Sequence, residues 1–302
     1  MDALQQRTLQ SAYSWNTLWG SLLMAAIMGF SRFSYGLLIP GIQNEMGGRY
    51  SDYGFLGTIN FIGYLLGTVC MPFVISRFPN SKYSMHRIFS LLVGISIIGS
   101  ALSHNLAVLG VWRFVIGVFS GMATVLVLSI VLDTIRPEQR GVASGLIWGG
   151  TCVGVLITGV LAPYAIDPSN LMGWRYSWLG MGIFGILSLI GFEVSIRKYK
   201  TANGRQIKNP SAPNKERVNV NHLLFKPQNL LFLVISYFFY GWGYIIYFTY
   251  LIPYLVDKGI PPLYSGLIWS AIGFAGLFNA WIGGKSIDRW PSGYTLAASL
   301  FA

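Results

Sequence analysis

The sequence predicts an all-α, multi-pass membrane protein built as two helical bundles joined by a polar connector. Three observations carry that prediction. The 302 residues are 53% hydrophobic and only 10% charged, where soluble domains carry about 25% charged residues. Apolar runs of roughly 20 residues or more, the length that crosses about 30 Å of hydrocarbon, recur along the chain. One long polar segment, "RKYKTANGRQIKNPSAPNKERVNVNHLLFKP", separates these runs into two sets.

The elements follow in order. A polar leader, residues 1–14, runs directly into an apolar span at 15–44. That span is too long for a signal h-region and has no small-residue cleavage site, so the first helix is expected to stay in the protein. Further spans are predicted at 52–76, 88–103, 106–133, 142–166 and 176–196, the third and fourth divided only by the hairpin around "SHN". The connector, 197–228, is rich in Lys, Asn and Pro and has neither helical nor strand periodicity, which marks a linker between membrane halves. Two more spans follow at 229–256 and 263–286, and "YTLAASLFA" reads as the opening of a ninth that stops at Ala302. The expected domains are therefore the leader, a six-helix bundle over 15–196, the connector, and part of a second bundle over 229–302.

Lys and Arg are distributed unevenly over the turns. With a cytoplasmic N-terminus, the inner segments hold Arg7, then Arg77, Lys82 and Arg87, then Arg136 and Arg140, the connector from Arg197 to Lys226, and Lys285 with Arg289. The outer loops hold Arg49, Arg175 and Lys258. This is the positive-inside bias, and it predicts the orientation. The net charge of +11 is thereby explained by topology and by anionic lipid headgroups, with no nucleic acid required. Cys70 and Cys152 fall in different predicted helices and are expected to be small buried hydrophobes, neither disulfide nor metal ligands. No H-E-x-x-H, G-x-S-x-G or pair of intramembrane carboxylates is present, so an enzyme is not expected. No metal and no cofactor is expected either.

The two sets of spans echo one another. "GFSRFSYGLLIP", Gly29–Pro40, resembles "GWGYIIYFTYLIP", Gly241–Pro253: Gly29 matches Gly241, Phe30 matches Trp242, Arg32 falls on Tyr244 and Tyr35 on Tyr247. The copies lie on helices 1 and 7, six helices apart in order, which implies two halves running in the same direction, a recurrent transporter plan.

The order of several motifs resembles the major facilitator superfamily (MFS), and the repeated pair most resembles its YbfB/YjiJ-like branch. "GGKSIDRWPSG" carries Gly284, Asp288 and Arg289 as the G-x-x-x-D-R core of that family's inner-loop motif, whereas the equivalent loop "VISRFPNSKYSMHR" lacks the Asp. "GVWRFVIGVFSG" resembles the arginine-bearing fourth helix, with Arg113 as its arginine. Gly141, Gly150, Gly154 and Gly159 resemble the glycine-rich fifth helix of antiporters, with Val155 in place of its proline. The resemblance implies the MFS fold, truncated after the eighth helix, and a small-solute transporter of the bacterial inner membrane that works by alternating access. It also implies that helices 1, 4 and 7 line a central cavity. A chain ending at Ala302 has a second reading, as a fragment without transport activity or as a subunit of a membrane assembly.

Within that frame Arg32 lies about 12 Å from Pro40 and Arg113 about 10 Å from Leu106, which gives them a common depth. The carboxylates of the first half, Glu45, Asp52, Asp133, Asp167 and Glu193, fall at helix ends or loops, so neither arginine has an evident internal partner. An unpaired guanidinium in hydrocarbon costs at least about 2.5–3.5 kcal/mol, so it should face water, carbonyls or an anionic ligand. The planar fork of arginine suits a carboxylate or phosphate, which makes an organic anion the expected substrate. Partial snorkelling of Arg32 and a structural role for Arg113 are the competing readings. The expected substrate contacts are Arg32, Tyr35, Arg113, Tyr244 and Tyr247, the last two drawn from a stripe on helix 7 that also holds Tyr237, Tyr240 and Tyr254. Gly284, Asp288 and Arg289 are the expected gate, with plain topology charges as the alternative. Glycine pairs Gly63/Gly67, Gly117/Gly121 and Gly150/Gly154 read as helix-packing positions. His86, His104 and His222 are expected in loops or at helix ends, so the coupling ion stays unassigned.

Overall fold

The computed structural model describes residues 9–202 and 227–290, except for the side chains of 227–234, Ser236, Tyr237, Tyr240 and Trp242. It is all helical apart from short turns: α1 (Trp15–Met46), α2 (Tyr50–Arg77), α3 (Lys82–Ala101), α4 (Leu106–Leu132), α5 (Arg140–Ala165), α6 (Gly173–Ala202), α7 (Pro227–Asp257) and α8 (Pro262–Arg289). Among the described residues seven of these helices are long and apolar enough to cross a membrane, so the predicted multi-pass fold is the observed one. The start of a ninth helix lies outside the described residues.

Local chemistry sets the helix ends. Asn105 Oδ1 accepts the Val108 N–H at 2.8 Å and caps α4, which is what separates it from α3 in an otherwise continuous apolar stretch. Asp52 Oδ2 accepts the Arg49 N–H at 2.9 Å in a capping box that opens α2. Gly47, with φ +69°, lets the chain leave α1 through the left-handed region. Two boundaries differ from the sequence reading. α3 begins at Lys82 rather than 88, and α6 runs to Ala202 rather than 196. Both extensions carry Lys and Arg at the mouth of the bundle, where hydropathy drops although helix continues.

Small residues decide which helices touch. A Cβ on Gly63 would sit 2.6 Å from the Phe114 carbonyl oxygen, and one on Gly117 would sit 2.2 Å from that of Asn60, so α2 and α4 cross backbone to backbone. Gly150 and Gly154 bring α5 equally close to Ser21, Ala25 and Gly29 of α1. Other glycines of α5 face α8: Gly145 meets the Ala280 carbonyl, and Gly159 meets Gly266 and Ser270. In lipid, where apolar surface gains little by leaving one hydrocarbon for another, such close approach is what holds helices together. The core divides into a half around Tyr35, Tyr53, Trp174, Trp178 and Trp269 and a half around Leu23, Ile27, Ile130, Val131 and Phe192.

Two expectations need correction. Neither cysteine is buried: Cys70 is exposed and Cys152 half-buried, because Cys70 lies on the outward face of α2 among Leu66, Val69 and Phe73. His86, expected in a loop or at a helix end, lies in the opening turns of α3 and is fully buried there, against the edge of the Phe192 ring at 4.9 Å, with Ser90 Oγ 3.3 Å from its Nδ1.

Candidate functional site

The site begins with a distortion of α1. Its middle, Ala25–Phe33, is π-helical, closing with the Ser34 N–H donated to the Gly29 carbonyl. The wider turn loosens the backbone ladder, and hydroxyls of the same stretch compensate. Ser31 Oγ donates to the Ile27 carbonyl and Ser34 Oγ to that of Phe30, while the Ser31 carbonyl accepts from Arg113 Nη1 at 2.6 Å. Segments of π-helix recur at functional sites, and this one carries Arg32.

Arg32 points into a box of rings drawn from three helices. Its guanidinium carbon lies 4.2 Å from the centre of the Phe61 ring and 4.4 Å from that of Tyr64, both on α2, and 5.8 Å from Phe33 beside it on α1. Its Nη2 donates to the Tyr244 hydroxyl of α7 at 3.1 Å. The residues matched by the internal repeat thus meet, since a two-fold relation along the membrane normal sets equivalent positions face to face at one depth. Its Nε is buried and has no hydrogen-bond partner. Cation–π contact to several rings partly offsets the missing counter-charge, so the expectation that Arg32 has no internal partner is corrected: its partners are rings and a phenol.

Arg113 is enclosed. It is 1% exposed, its guanidinium carbon is 4.1 Å from the centre of the Tyr35 ring, and Tyr35 in turn stacks on Trp178, with 6.3 Å between ring centres and planes 8° apart. Its Nε is also buried without a partner. Tyr35 is 2% exposed and its hydroxyl donates to the Tyr53 carbonyl at 2.8 Å, so it forms the wall between Arg113 and the rest of the site. Arg113 and Arg32 lie within electrostatic range of one another.

Most acids of the first half pair or bond at helix ends or in loops, as the sequence suggested, but Glu193, expected at an end, lies inside α6 because that helix runs on to Ala202. Glu45 takes a bidentate pair from Arg175, with Nη2–Oε1 at 2.8 Å, and a bond from Trp174. Asp133 pairs with Lys82, and Glu193 with Arg87. Asp167 accepts from the Ser169 N–H and hydroxyl in the loop after α5, and these bonds hold its carboxyl below the usual range. Among the described residues no group of three or more His, Cys, Asp and Glu could hold a metal ion.

The expected gate residues separate. Asp288 Oδ1 accepts the Gly141 N–H at 2.6 Å and Oδ2 the Val142 N–H at 2.7 Å, so its carboxylate closes the N-terminus of α5. Gly284 permits the approach, since a Cβ there would lie 2.5 Å from the Gly141 carbonyl oxygen. Arg289 is exposed. Tyr247 is 47% exposed and reaches the ring cluster through Phe248, 6.0 Å between ring centres. Sequence reasoning missed Phe61, Tyr64 and Phe248. The available signal was the spacing of three between the first two, which sets both rings on one face of α2.

The family described as "Uncharacterised MFS-type transporter YbfB" matches residues 24–302. The chain is 25% identical over 285 residues to the "Uncharacterized MFS-type transporter YbcL" of Bacillus subtilis, covering 92% of this chain and 67% of that one. It is 22% identical over 252 residues to the "Chloramphenicol efflux pump MT0201" of Mycobacterium tuberculosis, covering 78% of this chain and 56% of the pump. It is 23% identical over 226 residues to a "Protein TsgA homolog" of Buchnera aphidicola, with 74% and 56% covered.

Proposed function

Because the chain belongs to the family of MFS-type transporters that includes the uncharacterised YbfB, we propose that it carries a small organic anion across the bacterial plasma membrane by alternating access. Arg32 is the ligand group. The observation that carries this reading is the pair of guanidinium groups in mid-bundle, each with a buried Nε–H lacking a partner, while the acids Glu45, Asp133 and Glu193 are paired with other cations. A buried donor without an acceptor costs about 1–3 kcal/mol, more when charged, and an anion entering between α1, α2 and α7 would relieve that cost. Arg113, sealed behind Tyr35, adds positive potential from behind and fixes the backbone of the π-helical segment. The bond between Asp288 and α5 ties the two halves together and is the contact that breaks when the connector side opens. The N-terminus is cytoplasmic in this reading, as the basic turns suggest.

A second reading has one specific support. The rings around Arg32 also suit a neutral aromatic solute, and one relative is named as a chloramphenicol efflux pump. Thermal unfolding of the purified full chain separates the two. With acetate, lactate, succinate and benzoate as probes, at least one anion is expected to raise the midpoint, and Arg32→Gln is expected to remove that rise while leaving membrane insertion intact. A rise that survives Arg32→Gln refutes the anion reading, and stabilisation by chloramphenicol that ignores the substitution supports the neutral one.

A further inference from the structure

Resting on the anion reading of Arg32, we propose that the substrate is an aromatic monocarboxylate. What decides the class is which edge of the Arg32 guanidinium is offered and what lies beyond it. Nε–H and one Nη2–H lie parallel along a single edge of the fork, the edge that takes a carboxylate side-on with two bonds. Of these two nitrogens, Nη2 donates to the Tyr244 hydroxyl oxygen at 3.1 Å, and Nε has no partner. One carboxylate would satisfy both donors. The rings of Phe61 and Tyr64 pack on the same guanidinium, which steers a ligand toward the edge.

The number of charges follows from burial. Arg113 gives Nη1 to the Ser31 carbonyl and is covered by Tyr35 at 1% exposure, so it offers no second carboxylate seat. A single anionic group is selected over two. The body of the ligand follows from what adjoins that edge. A carboxylate seated there extends toward Tyr244, whose ring lies 6.3 Å from Phe248 and 6.5 Å from Phe33, with Phe33 and Phe248 5.0 Å apart. These three pairs meet at angles of 50–77°. A flat ring is the group that joins such a tilted cluster with a gain beyond simple burial.

The test compares four probes on the purified full chain by titration calorimetry: benzoate, cyclohexanecarboxylate, benzamide and phthalate. Benzoate is expected to bind about tenfold tighter than cyclohexanecarboxylate, which has the same charge and similar size without the π-system. Benzamide and phthalate are expected to bind at least about tenfold more weakly than benzoate, lacking the charge and carrying a second charge respectively. Phe248→Leu should bring the benzoate-to-cyclohexanecarboxylate ratio toward one. Equal affinity for the two carboxylates in the unaltered protein overturns the aromatic assignment and leaves the anion reading standing, provided Arg32→Gln still abolishes both. Binding of benzamide as tight as benzoate overturns the charge requirement, and with it the anion reading. Phthalate binding as tightly as benzoate overturns the single-charge assignment alone.

Discussion

Asp288 and Arg289 show how finely a two-residue motif divides. Both are charged and adjacent at the end of α8, yet only the carboxylate meets α5, through the amides of Gly141 and Val142. Charge-assisted bonds of this kind contribute roughly 1.5–3 kcal/mol each. Asp288→Asn keeps one acceptor oxygen and loses the charge, so the α5–α8 contact should open more often. The native Cys152 reports it, because its thiol faces Gly276 across that contact. In a Cys70→Ser background, Asp288→Asn is expected to raise the rate of Cys152 alkylation by about tenfold, equivalent to about 1.4 kcal/mol; an unchanged rate would show that the carboxylate does not hold the helices together. Arg289→Gln is expected to leave the rate alone. The sequence pointed to Asp288 through the G-x-x-x-D-R pattern that Gly284, Asp288 and Arg289 share with the family's inner-loop motif. It could not point to the ring partners of Arg32, because Phe61 and Tyr64 stand on another helix and the crossing of α1 past α2 is not written in either one.

Helices were legible almost to their ends, because hydropathy and length in a bilayer leave few alternatives. The π-helical middle of α1 was not, and the contacts made there are tertiary ones that no local pattern records: Gly154 against Gly29 and Arg113 donating to the Ser31 carbonyl. The glycines carry a prediction at this scale. A Cβ on Gly150 would sit 1.8 Å from the Ser21 carbonyl oxygen, whereas one on Gly180 meets nothing within 4 Å. Gly150→Ala is therefore expected to destabilise the protein by about 1–3 kcal/mol through overpacking. Gly180→Ala in the middle of α6 should be neutral or stabilising by up to about 1 kcal/mol through helix propensity. Thermal unfolding of both variants in the same detergent checks this, and equal midpoints would mean that α1 and α5 do not pack as described. Across the far end of the bundle, Arg175 ties the Glu45 carboxylate of α1 to the Ala101 carbonyl of α3, with 2.6 Å to the latter. Glu45→Gln is expected to lower the midpoint as well, by less than a fully buried pair would, since a fifth of its side chain is exposed.

On the scale of the molecule, the described part of the second half is held to the first along two lines, α1 against α7 and α5 against α8. The second line can be locked. A Cβ on Gly276 would lie 3.4 Å from the Cys152 Cβ, close to the separation that a disulfide spans. Oxidised Gly276→Cys should keep the two halves together on a denaturing gel after proteolytic cleavage within 203–226, and reductant should release them; fragments that separate without reductant would contradict the α5–α8 register. Along the first line Arg32 and Tyr244, the positions that the two similar stretches align, touch. With arginine at both, two like charges would face each other in a medium of low dielectric; with tyrosine at both, Arg113 alone would keep a charge in this part of the bundle. One cation against one phenol is the asymmetry that lets the two stretches meet without repulsion.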